Sequence, residues 1–254
     1  MLESYDVNIE DRQIALDMKL PYLFSHENGV YCSGPMLQTA KWFNLYLKPR
    51  GFLMTETRLL KKEVCLFLKE VRPVMLGLAV SPRGKHAVVY TGTEGDRYRF
   101  LNNKHKSSSD PEVIYLTQKE LLPLLSDSVS AAVLQKDIPT PVDLRPYLQE
   151  SADTLLKLKQ DINVFCSREQ APQALRTAQH SLFRAILLDG ITMLELLEND
   201  EPLKTLKSVQ GELLTALKEN IPLTLADRLS MHRFENAIDA YRELIQFHAE
   251  QALL

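Results

Sequence analysis

Glycine and proline divide this chain into two differently written parts. Seven of its nine glycines (29, 34, 51, 77, 84, 92 and 95) fall in the first 100 residues, and only Gly190 and Gly211 lie beyond them. Prolines 139, 141 and 146 then interrupt the text in "DIPTPVDLRP". Both residue types punctuate turns and weaken the interior of regular elements. A turn-rich sheet region is therefore expected first, then a boundary at the prolines, then long helices. Strand-length apolar runs occupy the first part: "PVMLGLAV" (73–80), "HAVVYTG" (86–92), the alternating "RYRFLNN" (97–103) and "SAAVLQK" (130–136). Turns at "SPRG", with Pro82 and Gly84, and at "TEGD" join the first three into an antiparallel meander. Helical spacing appears at Met36, Ala40, Phe43 and Leu47, with Pro35 suited to a first turn, and again in "TRLLKKEVCLFLKEV" (57–71). "TQKELLPLL" opens with Thr117 and Glu120 in capping-box spacing. Beyond Pro146, Leu155, Leu158, Ile162 and Phe165 share one helical face, and roughly four helices are expected to pack as an antiparallel bundle. The class is thus α+β, with residues 1–138 forming a sheet domain and residues 139–254 a helical one.

Composition narrows the function. Apolar residues make up 45% and charged residues 25%, the balance of a globular protein with a core, and a net charge of −3 gives no electrostatic reason to expect nucleic acid or an anionic membrane as partner. No run approaches the roughly 18 apolar residues a spanning helix needs. The start, "MLESYDVNIEDRQ", is acidic and does not read as a signal peptide. Three cysteines, Cys32, Cys65 and Cys166, make an odd number without metal-ligand spacing, so neither a disulfide framework nor a metal site is expected, and a reducing cytoplasm is. Cys65 and Cys166 sit in apolar helical stripes and read as core residues, as does Trp42.

Cys32 is placed differently. It comes after Asn28-Gly29, read as a flexible pair, and precedes the helix expected from Pro35. A helix start favours thiolate, the nucleophilic form of cysteine. Such a nucleophile needs an imidazole to take its proton and a third group to orient that imidazole. His86 opens a strand directly after a turn, and Asn102-Asn103 closes the next strand. Antiparallel pairing brings the start of one strand near the end of the next, so an asparagine amide there could hold the ring of His86.

In this order, Cys32, "RPVMLGLAV", "KHAVVYTG", "RYRFLNN" and "LTQKELLPLL" resemble the papain-like fold of the bacteriocin-processing (double-glycine leader) peptidases, over about residues 20–136. In that family a cysteine, often in Cys-Gly-Pro, opens a helix that packs on an antiparallel sheet. A histidine opens one strand, and an Asp or Asn ends the next. The resemblance implies Cys32 as nucleophile, His86 as general base and Asn102, or else Asn103, as the orienting residue. Here the motif reads Cys-Ser-Gly-Pro, one residue longer. The glutamine that steadies the oxyanion in the family is replaced by His26, with Asn28 nearby as a second candidate donor. The resemblance thus implies a cofactor-free cysteine hydrolase, a peptidase or amidase, acting on a peptide or protein substrate. The same residues also suit an acyltransferase, deamidase or transglutaminase-like enzyme, and the domain could equally be a non-catalytic peptidase-like binding module. The helical part has no counterpart in the minimal peptidase domain. Substrate binding, homodimerisation and docking of a partner protein are its open roles.

Overall fold

The computed structural model describes residues 1–81, 84–102, 112–198, 200–220, 223–224 and 229–251; Pro82 and Asn103, on which expectations fell, lie outside the described residues. The fold is mixed α+β, with a six-stranded antiparallel sheet and a helical C-terminal region. Two compact units share the chain: Met1–Ile9 with Thr39–Pro141, and Glu10–Gln38 with Val142–Leu254. The last crossing between them falls within the proline-marked stretch. The segment Glu10–Gln38, read from the sequence as part of the sheet domain, instead packs with the helical unit.

In the sheet unit the strands are β3 (Phe52–Leu60), β4 (Val74–Ser81), β5 (Gly84–Glu94), β6 (Arg97–Asn102), β7 (Val113–Thr117) and β8 (Ser128–Lys136), in the order β3-β8-β4-β5-β6-β7. β3 is a correction. The sequence predicts that residues 57–60 begin a helix, yet they continue a ladder that pairs Phe52 with Lys136 through to Leu60 with Ser128. Helix α3 (Lys61–Glu70) starts only where that ladder ends. Pairing decided the matter, because β3 finds backbone partners along its whole length. Its outer edge is met by Asn44 of helix α2 (Ala40–Leu47). The Met54 N–H donates to Asn44 Oδ1 at 2.8 Å, and Asn44 Nδ2 donates to the Met54 carbonyl at 2.9 Å, so one side-chain amide supplies a missing rung.

Helix α3 and the short helix α4 (Gln118–Leu124) cover one face of the sheet. Val64, Cys65, Leu68 and Leu121 meet Val74, Leu76 and Leu78 of β4, Val88 and Tyr90 of β5, and Tyr98 and Phe100 of β6, all buried. The strand contributors recur at every second residue, as one face of a pleat requires. Each fully buried large apolar side chain contributes about 1.5–3 kcal/mol. Thr117 and Glu120 form the expected capping box at the start of α4.

The helical unit holds α1 (Asp11–Asp17), a hairpin of β1 (Phe24–Glu27) and β2 (Val30–Ser33), α5 (Arg145–Cys166), and a run in which α6 (Pro172–Ala178) passes through π-helical turns at Gln179–Phe183 and Ala185–Gly190 into α7 (Ile191–Leu196). Helices α8 (Asp200–Glu219) and α9 (Met231–Gln251) complete it, and α9 packs against both α5 and α8. The hairpin is bound into this unit by buried polar contacts. Ser151 of α5, fully buried, accepts the Phe24 N–H at 2.9 Å and donates to Tyr147 O at 2.6 Å. Ser33 donates to the Ala185 carbonyl at 2.7 Å, and Tyr31 donates to Asp161. The Phe24 ring stands edge-on to Tyr241, with centroids 5.3 Å apart. Among the described residues no helix is long and apolar enough to cross a membrane.

Replacing Ser151 by Ala leaves the Phe24 N–H buried without its acceptor. The expected cost is about 1–3 kcal/mol, read as a lower urea midpoint in chemical denaturation; an unchanged midpoint would show that the hairpin is not held through this serine.

Candidate active site

Two of the three residues singled out for catalysis belong to the sheet unit. The register pairs Leu78 with His86 across β4 and β5, and Val88 with Asn102 across β5 and β6. His86 precedes Val88 by two positions, so His86 and Asn102 lie on one face of the sheet as diagonal neighbours, a relation that sets Cα atoms about 7–8 Å apart. Asn102 is 5% exposed, and its N–H donates to the Glu112 carbonyl at 2.8 Å. His86 is half-buried at the end of the row that continues as Val88 and Tyr90.

Cys32 belongs to the other unit, and its local structure differs from the expected one. It does not open a helix. It lies within β2, opposite Ser25, with a single 3-10 turn (Gly34–Met36) after it and α2 beginning only at Ala40. The cause is the pair Asn28-Gly29. With φ of 53° and 77° the two residues form a tight turn of the type that closes a two-residue hairpin, and Glu27 pairs with Val30 across it. The thiol consequently has no helix terminus to favour its ionised form. Its Sγ lies 3.8 Å from the Val30 carbonyl. Burial pushes its pKa above the ordinary thiol value, the carboxylates of Glu27 and Asp189 push the same way, and Arg184 opposes them.

The hairpin also separates the candidate oxyanion donors from the thiol. Side chains alternate along a strand, and directly paired residues share a face. Cys32, Ser25, Val30 and Glu27 are therefore on one face, and His26, Tyr31, Phe24 and Ser33 on the other. The His26 ring stacks on Tyr31, with centroids 4.2 Å apart, and its Nδ1 lies 3.1 Å from Lys157 Nζ. Asn28 is exposed at the hairpin tip and occupied in the turn. Neither His26 nor Asn28 shares the face of Cys32 where the resemblance implies an oxyanion donor, and Asn103 lies outside the described residues.

Beside Glu27, two further charges act on the thiol, and sequence reasoning missed both. Arg184 Nε donates to Asp189 Oδ2 at 3.1 Å, and the Asp189 side chain is only 7% exposed. Residues five apart point to different sides of an α-helix, which turns every 3.6 residues. The wider π-helical turn, bonded from i to i+5, brings them to one side. Burial pushes the Asp189 carboxyl up, and its ion pair with Arg184 opposes that rise. The signal available in the sequence is a pair of opposite charges inside the apolar run "SLFRAILLDGITML". Cys65 and Cys166 are buried, and burial pushes the Cys166 thiol up to about 12. Among the described residues no group of three or more His, Cys, Asp or Glu side chains is arranged to hold a metal ion.

No model of a known protein family matches the chain, and no curated protein matches it.

Because Glu27 raises the thiol pKa, Glu27→Gln should move the pH midpoint of Cys32 alkylation downward. Iodoacetamide labelling with detection by mass spectrometry reads this residue by residue. Cys65 and Cys166 should stay unlabelled until denaturant is added. A midpoint that ignores Glu27 would remove that carboxylate from the surroundings of the thiol.

Proposed function

We propose that the chain is a papain-like cysteine hydrolase acting on a peptide or amide bond. The observation that carries this reading is the placement of His86 and Asn102 as diagonal neighbours on one sheet face, in the strand order that the peptidase resemblance implies. In the chemistry that the resemblance implies, the Cys32 sulfur attacks the substrate carbonyl carbon while an imidazole, assigned to His86, takes the thiol proton. The amide of Asn102 orients the imidazole. His86 then returns the proton to the leaving amine as the carbon–nitrogen bond breaks, giving a thioester. Water, deprotonated by His86, hydrolyses the thioester, releasing the acid and restoring the thiol. The raised pKa of Cys32 fits a thiol that stays protonated until His86 removes its proton during attack, rather than a preformed thiolate. An acyltransferase, deamidase or transglutaminase-like reaction shares the first step and differs only in the group that leaves or the acceptor that resolves the thioester.

A second reading is favoured by the strand placement of Cys32, away from any helix start: a peptidase-like module that binds without catalysis. A panel of fluorogenic peptidyl amides and esters, assayed with and without added amine acceptors, separates the two. Under the enzyme reading, Cys32→Ala abolishes turnover and the covalent acyl-protein seen by mass spectrometry. Loss of the base in His86→Ala costs about 10²–10⁴ in turnover, and Asn102→Ala shifts the acidic limb of the pH profile. Wild-type protein that forms no acyl intermediate with any member of the panel, and a Cys32→Ala variant that retains its cellular effect, would favour the binding module.

A further inference from the structure

Within the helical unit, the π-helical run and α8 enclose a cleft of about 310 Å³. That volume lies at the lower end of the roughly 300–1,000 Å³ typical of small-molecule sites. Its floor is apolar, made of Phe183, Leu187 and Leu213, all buried. Its rim carries two leucines that remain half exposed, Leu188 at 49% and Leu214 at 50%. Among the described residues no carboxylate lines it, whereas Arg184 and His180 do. The Arg184 guanidinium is held through its Nε by buried Asp189, and among the described residues its two Nη groups make no hydrogen bond. Those two groups form the edge that recognises a carboxylate through paired hydrogen bonds. Gln210 of α8 donates its amide to the Leu187 carbonyl, tying the two walls together.

π-Helical turns are rare and recur at functional sites. Here the wide turn does two things at once. It aligns Arg184 with Asp189, and it keeps Phe183, Leu187 and Leu188 along the cleft. We infer that this cleft binds a small free carboxylic acid with a linear apolar chain of medium length, its carboxylate on Arg184 and its chain along Phe183, Leu187 and Leu213. The site shares Arg184 with the surroundings of Cys32 but does not require the proposed thiol chemistry.

The full chain, labelled on leucine methyls, can be titrated with octanoate, octanol and octylamine by NMR and calorimetry. Octanoate should shift the methyls of Leu187, Leu188, Leu213 and Leu214 and bind roughly tenfold or more tighter than octanol, the difference expected for hydrogen bonds to a charged group. Octylamine should bind more weakly still. Leu188→Glu, at a half-exposed position that leaves the core untouched, should weaken octanoate and strengthen octylamine. Arg184→Gln combined with Asp189→Asn, which removes both members of the buried pair together, should erase the preference for octanoate over octanol while octanol still binds. Cys32→Ala should leave all three affinities unchanged, so failure of the hydrolase reading would not touch this result. Equal binding of octanoate and octanol to the wild type, shifts confined to other leucines, or no binding at millimolar ligand would each overturn the inference. Should the double variant not fold, the response of Leu188→Glu decides alone.

Discussion

Two residues with positive φ, Asn28 and Gly29, set the course of the chain from residue 24 to residue 33. Few residues adopt that conformation in succession without strain, and asparagine ahead of glycine is the pair that does so most readily. Once the turn closes, Phe24 and Ser33 are brought level, and each meets a buried serine contact: the Phe24 N–H on Ser151, and Ser33 on the Ala185 carbonyl. The hairpin is thereby committed to the helical unit. Cys32 goes with it, as a strand residue and not as the first residue of a helix. The surroundings of the thiol, from its neighbouring charges to its raised pKa, descend from this turn and the two serine contacts that fix it.

The π-helical run between Gln179 and Gly190 is the second departure from regularity, and it connects several features that look separate in the sequence. It receives Ser33 through Ala185, supplies two of the charges that act on Cys32, and forms one wall of an apolar cleft. A buried carboxylate such as Asp189 persists only with a partner that offsets its desolvation. The wide turn provides that partner within the same helix, at a spacing an α-helix does not bring together. The ion pair and the helix geometry therefore sustain each other: α-helical winding would part Arg184 from Asp189 and leave the carboxylate buried alone.

Much of the sheet was legible because its signals are local. Alternation in "RYRFLNN", the turn at "TEGD" and the apolar run from Val74 each reflect pleating and turn chemistry acting over a few residues. The resulting meander places His86 and Asn102 on one face. Strand β3 was not legible, because "TRLL" fits a helical period as well as a strand, and the arbiter was a long-range ladder to β8. The Asn28-Gly29 turn was legible in principle, being the strongest short hairpin signal there is. The helical spacing from Met36 to Leu47 competes with it and favours a helix that begins too early. For the candidate site the consequence was direct: a helix-start cysteine with His26 beside it became a strand cysteine with His26 on the opposite face.

By itself the sequence determined the α+β class, the helical character beyond Pro146, the core placement of Cys65, Cys166 and Trp42, and the adjacency of His86 to Asn102. These depend on periodicity, turn residues and strand order, which are properties of neighbouring positions. Only the tertiary structure decided that residues 10–38 join the helical unit, that Ser151 anchors the hairpin, and that Arg184 pairs with Asp189 across five residues. The physical reason is the same in each case. A buried polar group must find a partner, and which partner it finds depends on chain segments that lie far apart in sequence or on a helical winding that local propensity does not favour.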